Sequence, residues 1–149
     1  MQSSAKIPFA PDAGRAPSRS ISKRAARRLI QRAFVLAGRD KRVRQHLREA
    51  HLTTLWTIQD WDLAWTVALQ RGRLKFERRP AKQPDLSLTW GTAAEFFGQV
   101  EARFPAEGVF ELAGSKELRR FCGPVLNGFF SSLRHVLSNP VDDKGESLV

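Results

Sequence analysis

Hydrophobic positions follow two different periods along this chain. From about residue 53 to residue 77, apolar side chains alternate with polar or small ones, which is the two-residue period of half-buried strands. Short turn sequences interrupt the alternation at Asp60-Trp61-Asp62 and at Arg71-Gly72. The pattern therefore predicts three consecutive strands joined as an antiparallel meander, a type of sheet that usually has one wet and one covered face.

A strand, a helix and a second strand are predicted next. Apolar residues occupy every second position of 86–90, which predicts a fourth strand. Thr92 and Glu95 have the spacing of a capping box, and apolar residues at helical spacing follow as far as Phe104. The apolar run at 109–112 then predicts a fifth strand.

Helical patterns lie at both ends of the chain. Ser22 is the predicted N-cap of a helix through about Ala37, and a second short helical stretch covers 40–50. The last pattern runs from 116 to 137, and Pro124 should kink that helix or end its first segment. A polar tail follows this helix.

Together these elements predict an α+β fold. Its core is an antiparallel, mixed-edge, five-stranded sheet with one face covered by helices that enclose an apolar cavity, plus a helical N-terminal extension. The 149 residues suit one domain with a genuine core. We expect a disordered basic arm over 1–20, a basic helical extension over 21–50, a sheet domain over 51–138 and a flexible tail over 139–149.

Positive charge is concentrated in the first third of the chain. Residues 1–48 contain thirteen lysines and arginines against two acidic residues, whereas residues 49–149 contain twelve against thirteen. The basic helix can be a solvated face packed on the domain, a membrane-docking surface, or a nucleic-acid contact. In the membrane interpretation, each basic residue contributes on the order of 1 kcal/mol. The docking residues would be Lys23, Arg24, Arg27, Arg28 and Arg32.

Signatures of catalysis are missing from the sequence. The three histidines, His46, His51 and His135, do not form a familiar metal-binding set, and the motifs G-x-S-x-G, P-loop and G-x-G-x-x-G are absent. The single cysteine, Cys122, lies among apolar residues and is expected to be buried. We therefore predict no enzyme activity, no metal and no cofactor.

Bulky apolar side chains are abundant for so small a sheet. Most of the tryptophans and phenylalanines fall on the predicted inward faces or close to them. Such side chains usually form a closed core. The alternative is that they line a cavity of about 300–1,000 Å³, the usual size of a ligand site.

The order of elements resembles the sterol carrier protein type 2 domain, a small lipid-binding module. The resemblance rests on the strand Leu63–Leu69 with its Arg-Gly-Arg hairpin, on PDLSLT at Pro84–Thr89, on AEFF at Ala94–Phe97, and on GVFELAG at Gly108–Gly114. It covers roughly residues 50–137. Short bacterial members, which are accessory lipid-carrier factors in ubiquinone synthesis, are the most similar in size and also have an N-terminal helical extension.

This resemblance implies a non-catalytic carrier that presents an acyl, prenyl-quinone or sterol-like lipid. The lipid would lie between the inner face of the sheet and the covering helices. The implied lipid-binding residues are Trp65, Val67, Leu86, Leu88, Phe96, Phe97, Val100, Phe110, Phe129, Phe130 and Leu133.

Partners and location follow from the same interpretation. We expect a lipid ligand, an anionic membrane surface and protein partners in a lipid-modifying complex. The protein would be cytoplasmic and peripheral to the membrane, or in an organelle matrix if its Arg- and Ser-containing N-terminus is a transit peptide. Two alternatives remain open: a basic nucleic-acid-binding protein, and a scaffold whose groove takes an apolar partner segment. Nucleic acid is disfavoured because the aromatic residues are not interleaved with lysine or arginine.

Overall fold

The computed structural model describes residues 6–8, 20–101, 110–114 and 116–149. The strands β1 (Lys6–Pro8) and β2 (Ser20–Ser22) pair antiparallel with each other. β1 lies within the arm that the sequence predicted to be disordered, so that prediction is corrected for these three residues, whose backbone groups pair with β2. The remainder of the arm, residues 1–5 and 9–19, lies outside the described residues.

Helix α1 (Lys23–Arg39) has Ser22 as its N-cap, and the Ser22 side chain accepts a hydrogen bond from the Ala25 N–H at 3.1 Å. This confirms the predicted cap. Its apolar stripe packs on the C-terminal helix and on an edge strand of the sheet. The helix therefore contributes to the same hydrophobic core as the sheet, although the sequence assigned it to an extension. The buried residues of the stripe are Ala26, Leu29, Ile30, Ala33, Phe34 and Ala37.

Helix α2 (Lys41–His46) follows directly. Asp40 caps it, because its carboxylate accepts a hydrogen bond from the Arg42 N–H at 2.8 Å. The predicted helical stretch over 40–50 is helical only in its first half, and residues 47–49 form a turn. Val43 and Leu47 are both buried, so this short segment is anchored by its few apolar positions.

Strands β3 (His51–Ile58), β4 (Leu63–Gln70) and β5 (Arg73–Glu77) form the predicted antiparallel meander. In β3 and β4, buried residues alternate with half-buried ones along most of each strand. The turn between β4 and β5 has positive φ at both central residues, 49° at Arg71 and 83° at Gly72. This is the backbone of a tight hairpin, which glycine favours.

The sheet is completed by β6 (Leu86–Trp90) and β7 (Phe110–Gly114). β6 pairs parallel with β3 and antiparallel with β7, giving the strand order β5-β4-β3-β6-β7. The parallel pair therefore lies at the centre of an open, mixed sheet. Asp85 fixes the start of the parallel pairing between β3 and β6. The Thr53 N–H donates to the Asp85 carboxylate at 2.7 Å, and the Asp85 N–H donates to the Thr53 carbonyl at 2.7 Å.

Helix α3 (Ala93–Gly98) has the predicted capping box between Thr92 and Glu95. The Ala93 N–H also donates to the Asp60 carboxylate at 2.9 Å, which ties this helix to the turn between β3 and β4. A 3₁₀ turn over Gln99–Glu101 continues the chain. The predicted end of the helix near Phe104 lies outside the described residues.

The C-terminal helical pattern is divided into two segments. A 3₁₀ turn covers Leu118–Phe121, and α4 covers Cys122–Ser138. Pro124 lies in the first turn of α4, where its missing N–H breaks no helical hydrogen bond. The expected break in the pattern occurs between Phe121 and Cys122, and Pro124 lies just inside the second segment and does not end the first.

Residues 139–149 are folded, in contrast to the predicted flexible tail. Val141 and Ser147 form a β-bridge, and Leu148 is buried. Asp143 forms ion pairs with two arginines of α1. The segment therefore returns to the body of the protein, because its apolar end and its carboxylate both find partners there.

One face of the sheet and the helices enclose the hydrophobic core, which confirms the predicted α+β architecture. The inward residues of β3, β4 and β6 are buried, whereas most of the outward residues of these strands are half-buried Thr, Ala or Ser. Among the described residues, the buried side chains of the sheet and of α1, α3 and α4 thus form one hydrophobic cluster.

Candidate functional site

The sheet contributes four of the predicted lipid-binding residues to this layer. Trp65 and Val67 project from β4, and Leu86 and Leu88 project from β6. All four are almost completely buried, at 0–1% exposure. Their positions at alternate residues explain why the sequence pattern identified them, since a strand directs every second side chain to the same face.

The helices contribute the opposite wall. Phe96, Phe97 and Val100 come from α3 and its 3₁₀ turn, and all three are buried. The residues from α4 are buried too, namely Phe129, Phe130 and Leu133. Phe110 belongs to β7, and its side chain lies outside the described part of the structure.

Aromatic rings fill the centre of the layer. The ring centroids of Phe96 and Phe130 are 5.2 Å apart, and those of Phe129 and Phe130 are 5.0 Å apart. Phe96 and Phe97 are also in edge contact at 5.3 Å. Such separations are typical of packed aromatic pairs. The predicted site residues therefore touch each other, and a lipid could enter only if these rings moved apart.

Phe34 of α1 lies at the middle of the layer, and the sequence did not include it among the site residues. Its ring centroid is 4.6 Å from that of Phe129, 5.1 Å from that of Trp56 and 5.3 Å from that of Phe76. Phe34 was recognised as part of an apolar helical stripe. That stripe was assigned to an extension, because helical periodicity does not show which body a stripe packs against.

Trp90 is a second central residue that was predicted to face inward but was not counted in the site. Its ring centroid is 4.9 Å from that of Phe96 and 6.2 Å from that of Phe130. Trp90 therefore connects the end of β6 to both α3 and α4.

Few polar groups enter the layer. Thr54 donates to the Val67 carbonyl at 2.8 Å and accepts from the indole N–H of Trp56 at 2.9 Å. Gln99 is 3% exposed, and its carbonyl oxygen has no hydrogen-bond partner among the described residues. Both groups are uncharged, and the apolar surface around them favours the burial of apolar groups.

The basic residues predicted to dock on membranes differ in their surroundings. Arg24 and Arg28 are exposed, and Lys23 and Arg27 are half-buried. Burial lowers the pKa of Arg27, with a further contribution from the neighbouring charges of Arg78 and Arg24. The two N-terminal turns of α1 therefore carry positive charges that repel each other.

Arg32 is the one of these five residues that forms an ion pair within the described part of the chain. Its side chain is 15% exposed and lies 2.9 Å from the Asp143 carboxylate. Arg28 donates to the carbonyl of Ser147 at 3.5 Å. The C-terminal segment therefore covers part of the basic face that the sequence predicted to be available.

Cys122 is buried, as predicted. Burial raises the pKa of its thiol to about 11. Such a thiol is protonated near neutral pH and is therefore a poor nucleophile.

Neither a metal cluster nor a membrane-spanning helix occurs within the described ranges. These residues contain no grouping of three His, Cys, Asp or Glu side chains that could hold a metal ion. In the same part of the chain, no helix combines the length and the hydropathy that a membrane crossing requires.

Comparison with known proteins found similarity at the level of structure. No protein-family model and no curated protein matches the chain. The crystal structure of sterol carrier protein 2 matches 71% of this chain and 93% of its own, with a TM-score of 0.55 and 13% identity. A candidate sterol carrier protein from Thermus thermophilus matches 72% of this chain and 85% of its own, with a TM-score of 0.53 and 14% identity.

Two further matches have TM-scores below 0.5 and carry no argument. The alkylsulfatase Pisa1 from a Pseudomonas species has a TM-score of 0.42 at 18% identity, and this chain spans only 13% of its length. The ubiquinone synthesis protein UbiJ-SCP2 has a TM-score of 0.43 at 10% identity, with 76% of this chain and 94% of that one covered. The two stronger matches confirm the predicted architecture: this chain has the fold of sterol carrier protein 2.

Proposed function

We propose that this protein binds and carries a hydrophobic lipid, without catalysis, between the inner face of its sheet and helices α1, α3 and α4. One observation carries the proposal. A predominantly apolar layer, lined by residues of the sheet and of three helices, occurs in a fold shared with a protein named sterol carrier protein 2. An acyl, prenyl-quinone or sterol-like group matches the apolar character of this layer.

The energetics of burial favour such a ligand. Each buried CH₂ group contributes about 0.8 kcal/mol, so a chain of ten or more carbons needs no polar anchor. This gain in free energy is opposed by the loss of the contacts between aromatic rings that fill the layer, which the ligand must replace. We propose that α3 moves away from the sheet to admit the ligand, because this helix has only six residues and is followed by a 3₁₀ turn.

Membrane docking is a second part of the proposal. The exposed positive charges at the N-terminal end of α1 support it, since Arg24 and Arg28 face solvent. At on the order of 1 kcal/mol for each basic residue near an anionic surface, four such residues give transient attachment. The protein would then act at the membrane periphery, where protein partners in a lipid-modifying complex, including one for ubiquinone synthesis, would receive the lipid.

Native mass spectrometry of the protein purified from its own host tests this function. We expect a bound species with the mass of a lipid, and displacement of a fluorescent apolar probe by dodecan-1-ol. A purified protein that carries no lipid and binds no apolar probe would exclude the carrier function. A stoichiometric polypeptide in place of lipid would instead favour a scaffold that binds an apolar partner segment.

A further inference from the structure

A cleft of about 610 Å³ lies between the end of α2 and the start of α4. The two helices are in close contact at Gly128, where a Cβ atom would clash with the side chain of Val43. Beyond this contact the chain continues toward Arg48 on one side and back toward Arg120 on the other. The cleft occupies the space between these two diverging segments, and its volume is within the range of about 300–1,000 Å³ of small-molecule sites.

The rim of the cleft is basic and part of its floor is apolar. Arg48 and Arg120 are exposed on opposite sides, and His46 also lines the rim. Phe121 and Pro124 provide apolar surface below them. The guanidinium carbon of Arg120 lies 4.9 Å from the centroid of the Phe121 ring, so this arginine is held above the floor.

The charge of the cleft favours an anion. Glu49 also lines it, but the two arginines outnumber this carboxylate. Guanidinium groups make short, charge-assisted hydrogen bonds to carboxylates and phosphates. The positive end of the α4 dipole, which spans 17 residues, adds to the same potential.

Phe121 connects the cleft to the apolar layer. It lines the cleft and is only 8% exposed, and it belongs to the same buried cluster as Phe129 and Phe130. The next apolar residues of α4, Val125 and Leu126, are buried as well. A chain bound in the layer could therefore leave it past Phe121 and end in the basic cleft.

We propose that this cleft binds the anionic headgroup, a carboxylate or a phosphate, of a lipid whose chain lies in the apolar layer. Arg48 and Arg120 hold the headgroup from opposite sides, and Phe121 separates the headgroup from the chain. The inference rests on the proposed carrier function and narrows its ligand to an anionic amphiphile.

Three ligands with the same chain test this site: dodecanoate, dodecyl phosphate and dodecan-1-ol. Each is titrated against a fluorescent, uncharged apolar probe bound to the full-length protein. We expect one or both anions to bind at least tenfold more tightly than the alcohol. The double variant Arg48→Gln, Arg120→Gln should lose this preference while it keeps its affinity for dodecan-1-ol.

A matched variant controls for net charge. Arg79→Gln, Lys82→Gln removes two positive charges from the exposed loop between β5 and β6, and it should keep the wild-type preference. If the wild type binds the anions and the alcohol with equal affinity, the headgroup site is overturned but the carrier function is not. The same holds if both double variants lose the preference for anions to the same extent. Failure of all three ligands to bind would overturn the carrier function, and this site with it. Preference for one anion over the other identifies the headgroup as a carboxylate or a phosphate.

Discussion

Gly128 allows α2 and α4 to approach each other. A Cβ atom at this position would overlap the side chain of Val43, whereas a Cβ atom on Gly123 in the same helix has no neighbour within 4 Å. Gly128→Ala should therefore destabilise the protein by about 1–3 kcal/mol, the usual cost of overpacking. Gly123→Ala should be neutral or stabilising by up to about 1 kcal/mol, because alanine favours helix.

Urea unfolding of the two glycine variants measures this difference. Both substitutions add the same methyl group to the same helix, so their comparison isolates the contact with Val43. Equal stability of the two variants would show that α2 can move away from α4 at little cost.

Cys122 should react slowly with thiol reagents. Since burial raises its pKa from 9.0 to about 11, the thiolate fraction at pH 8 is lowered about a hundredfold. Its alkylation rate at pH 8 should be correspondingly slower in the native protein than in urea, and the native rate should increase as the pH approaches 11. The unfolded state ionises first, so stability should decrease between about pH 9 and pH 11. Equal rates in the native and unfolded protein would contradict the burial of this thiol.

At the scale of elements, the C-terminal segment depends on the contacts of Asp143 with α1. Its carboxylate accepts hydrogen bonds from Arg39 at 3.0 and 2.9 Å and from Arg32 at 2.9 Å. These arginines hold the pKa of Asp143 well below its usual range. The contribution of this carboxylate to stability is therefore present above the unfolded pKa of about 4 and is lost as the pH falls through the lower folded pKa.

Asp143→Asn should release residues 139–149 without unfolding the sheet. Hydrogen exchange of the Leu148 amide, which donates to the Pro140 carbonyl at 2.8 Å, should become faster. Glu146→Gln removes the same charge from an exposed position of this segment and should leave the exchange rate unchanged. Equal acceleration in both variants would mean that net charge, and not the contact with α1, holds the segment.

The stability of α3 should control lipid exchange. Thr92 and Glu95 satisfy each other's backbone N–H groups, at 3.0 Å and 3.1 Å. Thr92→Ala removes this cap, and such a cap typically stabilises a helix by about 0.5–2 kcal/mol. If α3 moves to admit lipid, the variant should release a bound apolar probe faster than the wild type, as measured by stopped-flow fluorescence. Thr92→Ser keeps the hydroxyl and should behave like the wild type, and an unchanged release rate in Thr92→Ala would exclude α3 as the moving element.

At the scale of the whole molecule, binding to anionic membranes should depend more on where the positive charges lie than on the net charge. We expect the quadruple variant Lys23→Gln, Arg24→Gln, Arg27→Gln, Arg28→Gln to lose at least tenfold in affinity for vesicles of 70% phosphatidylcholine and 30% phosphatidylglycerol. The physical reason is the loss of about 1 kcal/mol for each basic residue near the surface. Co-sedimentation at 0.1 M salt measures the binding, and 0.5 M salt should weaken it for the wild type.

A second quadruple variant has the same net charge. Its substitutions are Arg73→Gln, Lys75→Gln, Arg79→Gln and Lys82→Gln, all at exposed positions on or after β5. This control should bind vesicles like the wild type. An equal loss in both variants would show attraction through net charge, without a docking face on α1.

The sequence predicted the local structure of this protein well. The Ser22 cap, the Thr92–Glu95 capping box, the Arg71–Gly72 turn and the inward faces of β3, β4 and β6 are all present as predicted. Each depends on residues a few positions apart, so short-range spacing is sufficient to encode it.

Membership of the core was predictable only in part. Phe96, Phe97, Phe129 and Phe130 were recognised as inward because their own helices place them on one face. Phe34 was not included, since its central place depends on how α1 crosses the sheet and α4. Periodicity identifies the buried face of a helix, but it does not identify the surface on which that face packs.

The sequence by itself determined the apolar faces, the caps and turns, the basic first third and the order of elements that matches the fold of sterol carrier protein 2. Only the tertiary structure decided that α1 belongs to the core, that aromatic rings fill the layer, that Asp143 pairs with Arg39 across 104 positions of sequence, and that a basic cleft opens beside Phe121. The physical reason is the range of the interactions. Caps and periodic faces involve near neighbours, whereas packing, ion pairs and clefts depend on the path of the entire chain.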